Sequence, residues 1–172
     1  MATPNWRIYY GISTGMKNML YLEDLHVGDQ FTSQPYSMHE SEILNFAGQY
    51  DPQSFHTDAQ AAATHPVFQG LAASGWHTCA VTMRLWTSCF PVAYGLIGSE
   101  SSVRWPRPTR VGDELHVVVT ITDIHHSRSK PDRGIVSYET QTLNQHGEAV
   151  LISNTKILVF SRDYQPNKDQ NS

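Results

Sequence analysis

The sequence lacks long apolar runs, clusters of basic residues and a secretory signal, and each absence argues against a class of protein. No stretch of about 18 or more apolar residues occurs in the 172 residues, so we expect no transmembrane helix. The first ten residues contain no apolar segment that ends in small residues, which argues against secretion. Lys and Arg number 12 against 16 Asp and Glu, a net charge of −4, and form no recurring block. We therefore expect neither nucleic acid nor an anionic membrane as a partner.

Cysteine is also scarce, and its placement argues against a disulfide. Cys79 and Cys89, the only two, are ten residues apart within one predicted helix, or about 15 Å along its axis. Two side chains this far apart on one helix cannot bond to each other. Reduced thiols are typical of a cytoplasmic protein, which is the location we predict. Cys79 falls on the apolar face of that helix, where a core thiol is favoured over a nucleophile.

One long helix is predicted in the middle of the sequence. Between Leu71 and Phe90, apolar residues recur at steps of three and four, which is typical of a helix that is apolar over a wide arc. Its only formal charge is Arg84, and helices of this kind are buried. Gly70 and Pro91 stand just outside its two ends, where residues that interrupt a helix are expected.

The remaining elements predict an α+β fold. Two shorter helices are expected before the long one, over Ser37–Tyr50 and Asp58–Thr64, with Asp58 as the cap of the second. Strand-forming residues predict a sheet of about five strands, at Gln30–Ser37, Ile97–Trp105, Glu114–Ile124, Gly134–Leu143 and Ala149–Phe160. Short turns join the last three strands, so we expect an antiparallel sheet that wraps around the buried helix. We divide the chain into an N-terminal extension (1–20), one domain (21–162) and a polar tail (163–172).

A carboxylate and an imidazole lie close together in the loop before the long helix. Asp51 and His56 are five residues apart, so one short loop can hold both side chains in a fixed geometry. Such a pair can hold a water molecule between them and move its protons. Each residue also has an ordinary explanation, since Asp51 can begin a turn before Pro52 and His56 can be a hydrogen-bonded loop histidine. Gly70, just before the long helix, would let an acyl group approach the backbone closely.

This loop and the order of the elements resemble the MaoC-like dehydratase family, which has the hot-dog fold. The hydratase motif of that family reads Asp-x-Asn-Pro-x-His and is followed by His-Gly where the central helix begins. The matching residues here are Asp51, His56, Asp58 and Gly70. The residues that depart from the commonest form are Gln53, Ser54 and Gln69. A later segment, Val103–Pro108 followed by Gly112 and Asp113, also resembles the family, and the likeness covers about residues 22–160.

The resemblance implies an (R)-specific enoyl-CoA hydratase or 3-hydroxyacyl dehydratase that needs no cofactor and no metal. The substrates would be 2-enoyl and 3-hydroxyacyl thioesters of coenzyme A or of acyl carrier protein. Asp51 and His56 would act on the water, while the Gly70 N–H would bind the thioester carbonyl at the positive end of the helix. A homodimer is also expected, because one such sheet exposes edge strands that pairing across a two-fold axis would protect.

Five further residues are candidates for substrate binding. Gln53 either orients the catalytic pair or faces solvent, and Ser74 either lines the acyl pocket or caps backbone inside the helix. Phe55 and Trp76 are large enough to line or plug an acyl tunnel. Arg104, together with Arg107, Arg110 and the loop 128–133, either meets the phosphates of coenzyme A or belongs to a solvated strand edge.

Two other functions are compatible with a hot-dog fold. Hot-dog thioesterases commonly carry an Asp or Glu on or at the start of the central helix, but none occurs between Val67 and Ser99. A non-catalytic acyl-thioester binding subunit would not need the Asp51 and His56 pair. A metal site built from His56, Asp58 and His65 is less favoured, because metal ligands are usually more tightly organised.

Overall fold

The computed structural model of the chain describes residues 7–10 and 19–166, without the side chains of Tyr9 and Tyr10. Its strands are β1 (Ile8–Tyr10), β2 (Gln30–Thr32), β3 (Tyr36–Ser37), β4 (Ile97–Arg104), β5 (Glu114–His126), β6 (Arg133–Leu143) and β7 (Ala149–Phe160). Its helices are α1 (Glu40–Tyr50), α2 (Ser54–Thr57), α3 (Ala59–Ala63) and α4 (Gly75–Cys89), with a short 3-10 helix at Leu22–Asp24. No helix in these ranges is long and apolar enough to cross a membrane.

The strands form one sheet in the order β1-β2-β5-β6-β7-β4, with β3 also paired to β5. All neighbours are antiparallel except β1, which runs parallel to β2. This arrangement confirms the predicted α+β hot-dog fold. The predicted strand over 30–37 is two short strands, and β1 lies in a segment where only loop or an extended arm was expected. A three-residue strand shows no periodicity from which it could be predicted.

The core lies between the sheet and α4. From Leu115 to Ile121 of β5, every second side chain is buried, including Val117 and Val119. These strand residues share one hydrophobic cluster with Leu85 of α4 and with Phe90, which follows the helix. Because side chains alternate across a strand, these buried residues of β5 all point to the helix side of the sheet.

The central helix begins at Gly75, so the predicted start at Leu71 is wrong. The segment 71–73 is extended, because Ala72 forms an antiparallel bridge with Arg110 and the Ala73 N–H donates to the Thr109 carbonyl over 2.9 Å. Ser74 then caps the helix, since its hydroxyl accepts from the Trp76 N–H. The apolar spacing of 71–73 therefore reflects burial next to a strand and not a further helical turn.

Only one face of α4 is buried in the single chain, although a wider buried arc was predicted. The buried face carries His77, Thr78, Val81, Thr82, Leu85, Trp86 and Cys89. On the opposite face, 64% of Trp76 and 44% of Met83 is exposed. Large apolar side chains exposed together on one face are typical of an interaction surface.

Candidate active site

The end of α1 and the first turn of α2 bring Asp51 and His56 together. Asp51 follows the last residue of α1 and donates its backbone N–H to the Ala47 carbonyl. One turn later, α2 directs the His56 ring back towards the carboxylate, and His56 Nε2 lies 3.4 Å from Asp51 Oδ2. The sequence separation of five residues thus becomes a direct contact.

A backbone carbonyl determines which tautomer the neutral His56 ring adopts. His56 is 5% exposed, and its Nδ1 lies 2.7 Å from the Ala72 oxygen. A carbonyl oxygen can only accept, so Nδ1 carries the proton and donates it. In the neutral ring, Nε2 therefore has its lone pair free on the side of Asp51. The extended segment that displaces the start of α4 is what supplies this carbonyl.

Two side chains hold the Asp51 carboxylate. The Ser74 hydroxyl donates to Oδ2 over 2.6 Å, and the Gln53 amide donates to Oδ1 over 2.7 Å. The hydrogen bond from Ser74 is the main cause of a lowered Asp51 pKa, and it acts with Gln53 and His56 against the opposing effect of desolvation. Asp51 is therefore ionised at neutral pH. Of the alternatives for these residues, Gln53 orients the carboxylate, while Ser74 both caps α4 and binds Asp51.

The Gly70 N–H is not available to bind a thioester carbonyl in this structure. It donates to the Ala62 carbonyl over 2.9 Å, and Gly70 lies five residues before α4 begins. Gly75, in contrast, is the first residue of α4 and lines the cavity beside Asp51. A backbone N–H at this position has no acceptor within its own helix. The helix start at Gly75 could have been predicted from Ser74, which is a favoured N-cap residue.

A cavity of about 490 Å³ opens beside the pair, and we call it the Asp51 cavity. Among the residues that line it are Asp51, His56, Phe68, Gly75, Trp76 and Trp105. Trp105 was not predicted as a site residue, and its indole N–H donates to the Gly75 carbonyl over 3.1 Å. Trp105 also meets the ring of Trp76 edge to face at 5.7 Å, so two indoles form one wall.

Several predicted binding residues lie outside this lining. Phe55 stacks on Phe68 at 4.6 Å and touches the edge of the His56 ring, so it packs against site residues without lining the cavity. Gln53 and Ser74 reach the site only through Asp51. Arg104 is exposed on β4 and does not line the cavity. Of the five predicted substrate-binding residues, only Trp76 lines the Asp51 cavity.

The basic residues near the cavity have different partners. Arg110 donates to the carbonyls of Phe68, Gly70 and Leu71, so it holds the loop before α4 and is not free to bind a phosphate. Arg107 lines the cavity, with its Nε 3.3 Å from Glu148 Oε1. The Arg110 guanidinium, which binds three carbonyls, holds the segment that leads to Ala72 in place. The Ala72 carbonyl in turn binds His56.

Neither a nucleophilic cysteine nor a metal centre is supported by the geometry. Burial raises the pKa of the Cys79 thiol, which disfavours the reactive thiolate. Within residues 7–10 and 19–166, His, Cys, Asp and Glu form no group of three that could hold a metal ion.

The sheet order and the central helix together define a hot-dog protein with an Asp–His contact just before that helix. The sequence matches the MaoC-like domain over residues 25–144, and the chain belongs to this family.

Two solved structures and one curated protein illustrate the likeness. The MaoC-like dehydratase from Rhodospirillum rubrum is 53% identical, with a TM-score of 0.82, over 84% of this chain and 99% of that one. The (R)-hydratase PhaJ1 from Pseudomonas aeruginosa is 24% identical, with a TM-score of 0.66, over 83% of this chain and 86% of that one, which shows a shared fold. The uncharacterized protein YdeM of Bacillus subtilis (strain 168) is 28% identical over 80% of this chain and 97% of its own length.

Proposed function

We propose that the protein is a hydro-lyase that reversibly hydrates 2-enoyl thioesters of coenzyme A or acyl carrier protein to (R)-3-hydroxyacyl thioesters. The observation that carries the proposal is the 3.4 Å contact between Asp51 Oδ2 and His56 Nε2 at the wall of the cavity. Both atoms are acceptors when Asp51 is ionised and His56 is neutral. A water molecule next to both can donate a hydrogen bond to each.

In the proposed reaction, the pair moves protons and leaves no net change in its own protonation. As the water oxygen bonds to C3 of the enoyl group, the pair accepts one water proton and the π electrons move towards the thioester carbonyl. The enolate carbon C2 then takes a proton from the pair, which gives the 3-hydroxyacyl product. Dehydration follows the same path in reverse.

The charge that develops on the thioester oxygen needs a donor, and we assign this role to the N–H of Gly75 in place of Gly70. Gly75 lines the cavity that Asp51 also lines, and it is the first residue of α4. The helix dipole adds positive potential at this end. A backbone N–H fixed by the helix needs no reorganisation when the charge forms.

Turnover of enoyl-CoA tests the proposal. Crotonyl-CoA and longer 2-enoyl-CoAs should lose their enoyl absorbance without release of free thiol, whereas thiol release would indicate a thioesterase. Asp51→Asn and His56→Ala should each lower kcat by at least about a hundredfold, because each removes one of the two proton acceptors.

Matched controls separate catalysis from folding. Asp123→Asn and His125→Ala change exposed residues near the C-terminal end of β5 and should keep normal rates. All four variants should retain the circular dichroism of the unmodified protein. Near-normal hydration by either Asp51→Asn or His56→Ala on a confirmed substrate would refute the assigned mechanism.

We also propose that the protein is a homodimer, paired through β4. Within the described part of the chain, β4 pairs with β7 alone and lies at an edge of the sheet. Ile97 on this strand is 43% exposed, and Trp76 and Met83 are exposed on α4. Pairing two β4 strands would cover an open edge and exposed apolar side chains together. Light scattering should give the mass of two chains, and a monomer at micromolar concentration would refute the proposal.

A further inference from the structure

A second cavity, of about 440 Å³, lies between α4 and the strands β4 and β7. We call it the β4 cavity, and its lining includes Trp76, Met83, Trp86, Val103, Ser153 and Thr155. Trp76 lines the Asp51 cavity as well, so the two spaces adjoin at this side chain. The volume lies within the range of small-molecule sites, about 300 to 1,000 Å³.

Two polar groups in the lining residues of the β4 cavity have no hydrogen-bond partner. Trp86 Nε1 and Ser153 Oγ are both unpaired and buried, in side chains of residues that are 7% and 1% exposed. Thr140 lies opposite Ser153 on β6, and its hydroxyl is also buried and unpaired. Unpaired buried polar groups are rare because each one destabilises the folded state.

Neighbouring hydroxyls show that this part of the fold can pair its polar groups. The hydroxyls of Ser101 and Thr155 are 2.9 Å apart, and those of Thr82 and Thr142 are 2.8 Å apart. Ser153 lies between these pairs, two residues before Thr155 on the same face of β7. The unpaired hydroxyls of Ser153 and Thr140 therefore differ from those of the paired residues around them. Because Ser153 lines the cavity, a turn about its Cα–Cβ bond would bring the hydroxyl towards a ligand there.

The chemistry of the unpaired groups specifies the ligand. An indole N–H only donates, and a serine hydroxyl donates or accepts, so a ligand oxygen is the matching group. Among the described residues, no Lys or Arg lines the β4 cavity, and the acid that does, Glu100, is paired with Lys156 Nζ at 2.7 Å. A carboxylate would therefore be buried without a cation, which is unfavourable. A neutral hydroxyl, ketone or ether oxygen satisfies the site.

We propose that the β4 cavity binds the distal part of the substrate's acyl chain, and that Trp86 and Ser153 select a chain bearing a neutral oxygen over a plain alkyl chain. This inference rests on the proposed acyl-thioester function, since it assigns the reacting end to the Asp51 cavity and the distal end to the adjoining space. A polar site discriminates strongly against a ligand that leaves its groups unpaired.

Direct binding tests this selectivity without requiring turnover. Calorimetry compares saturated acyl-CoAs in matched pairs of equal chain length, such as hexanoyl-CoA with 6-hydroxyhexanoyl-CoA and octanoyl-CoA with 8-hydroxyoctanoyl-CoA. In at least one pair the oxygenated ligand should bind about tenfold or more tightly than the alkyl ligand. Ser153→Ala and Trp86→Phe should each bring the ratio close to one. Ser88→Ala should leave it unchanged, because Ser88 donates to the Leu85 carbonyl and lies outside the cavity.

Thermal stability of the ligand-free protein gives a second readout. Ser153→Ala removes a buried hydroxyl without a partner, so its Tm should be equal to or higher than that of the unmodified protein. Thr142→Ala removes a paired hydroxyl of the same region and should lower Tm. A marked loss of Tm in Ser153→Ala would show that the hydroxyl is structural and would overturn the proposal.

The remaining outcomes separate this proposal from the proposed function. Hydration of crotonyl-CoA with equal binding within every matched pair would overturn the selectivity alone. Selective binding of oxygenated acyl-CoAs without hydration of any enoyl-CoA would overturn the hydro-lyase alone. If Ser153→Ala and Trp86→Phe weakened the dimer and left the binding ratio unchanged, a second copy would be the occupant of the β4 cavity, and the proposal would be wrong.

Discussion

The two cavities beside α4 differ in how their polar groups are satisfied. In the Asp51 cavity, both carboxylate oxygens of Asp51 accept hydrogen bonds, and the Nδ1 of His56 is held by the Ala72 carbonyl. In the β4 cavity, Trp86 Nε1 and Ser153 Oγ have no partner. The volumes are similar, about 490 and 440 Å³, and Trp76 lines both.

This difference matches two different tasks. Groups that move protons must be held in one orientation before the substrate arrives, so hydrogen bonds to the protein are an advantage. Groups that choose among ligands need unused hydrogen-bonding capacity, because selectivity comes from what the wrong ligand leaves unpaired. Unpaired groups destabilise the free protein, and functional sites commonly contain groups that lower the stability of the fold.

The largest effect is expected from Ser74→Ala, which tests the hydrogen bonding in the Asp51 cavity. It removes both the donor to Asp51 Oδ2 and the cap of α4. We expect kcat to fall by about tenfold to a hundredfold and the free energy of unfolding by about 1–2 kcal/mol. Because the Ser74 hydroxyl is the main cause of the lowered Asp51 pKa, the acidic limb of the pH–rate profile should move to higher pH.

The pH dependence of stability follows from the same shift. A lowered pKa in the folded state stabilises the protein above the unfolded-state pKa, and this contribution disappears as the pH falls through the folded value. The difference in unfolding free energy between Ser74→Ala and the unmodified protein should therefore narrow towards acidic pH. Gln53→Ala is the matched control, since it removes a donor to Asp51 but no helix cap. A larger shift of the acidic limb in Gln53→Ala than in Ser74→Ala would contradict the assigned order of contributions.

Local patterns predicted much of the fold and the proximity of Asp51 and His56. Asp51 and His56 are close in sequence, so one loop had to bring them near each other, and they touch at 3.4 Å. The Asp58 cap of α3 is confirmed, with its carboxylate accepting from the N–H groups of Gln60 and Ala61. Long strands such as β5 were predicted because β-branched residues are concentrated in them.

The errors share a physical cause, which is contact between distant parts of the chain. Leu71 to Ala73 were included in the predicted helix, yet Ala72 pairs with Arg110 and the Ala73 N–H donates to the Thr109 carbonyl. For the same reason, the alternatives considered for Arg110 were a phosphate contact and a solvated strand edge, although it binds the carbonyls of the loop before α4. No local pattern in the sequence indicates such partners, although the N-cap preference of Ser74 was a local signal for the helix start at Gly75.

A smaller effect is expected from Gly75→Ala, which tests the crowded wall of the Asp51 cavity. An added Cβ would lie 3.0 Å from Trp105 Cε2 and 3.1 Å from its Nε1, so the indole must shift. Such a shift would strain its hydrogen bond to the Gly75 carbonyl. We expect kcat/KM to fall by about tenfold, because a displacement of well under 1 Å in the site is enough to slow the reaction by this factor. In the double variant with Trp105→Leu, the penalty of the added methyl should largely disappear, and simple additivity of the two losses would argue against the contact as its cause.

The smallest effect is expected from Gly98→Ala in the lining of the β4 cavity. An added Cβ at Gly98 meets nothing within 4 Å, so the methyl group fits without displacing protein atoms. Replacing a glycine where the backbone allows alanine stabilises a protein by about 0.4–1 kcal/mol, through the entropy of the unfolded chain. Crotonyl-CoA turnover should be unchanged, because the substitution leaves Asp51, His56 and their partners intact. If Gly98→Ala lowered kcat/KM for crotonyl-CoA as much as Gly75→Ala, the β4 cavity would belong to the reacting centre. The two cavities would then not have separate roles in proton transfer and ligand selection.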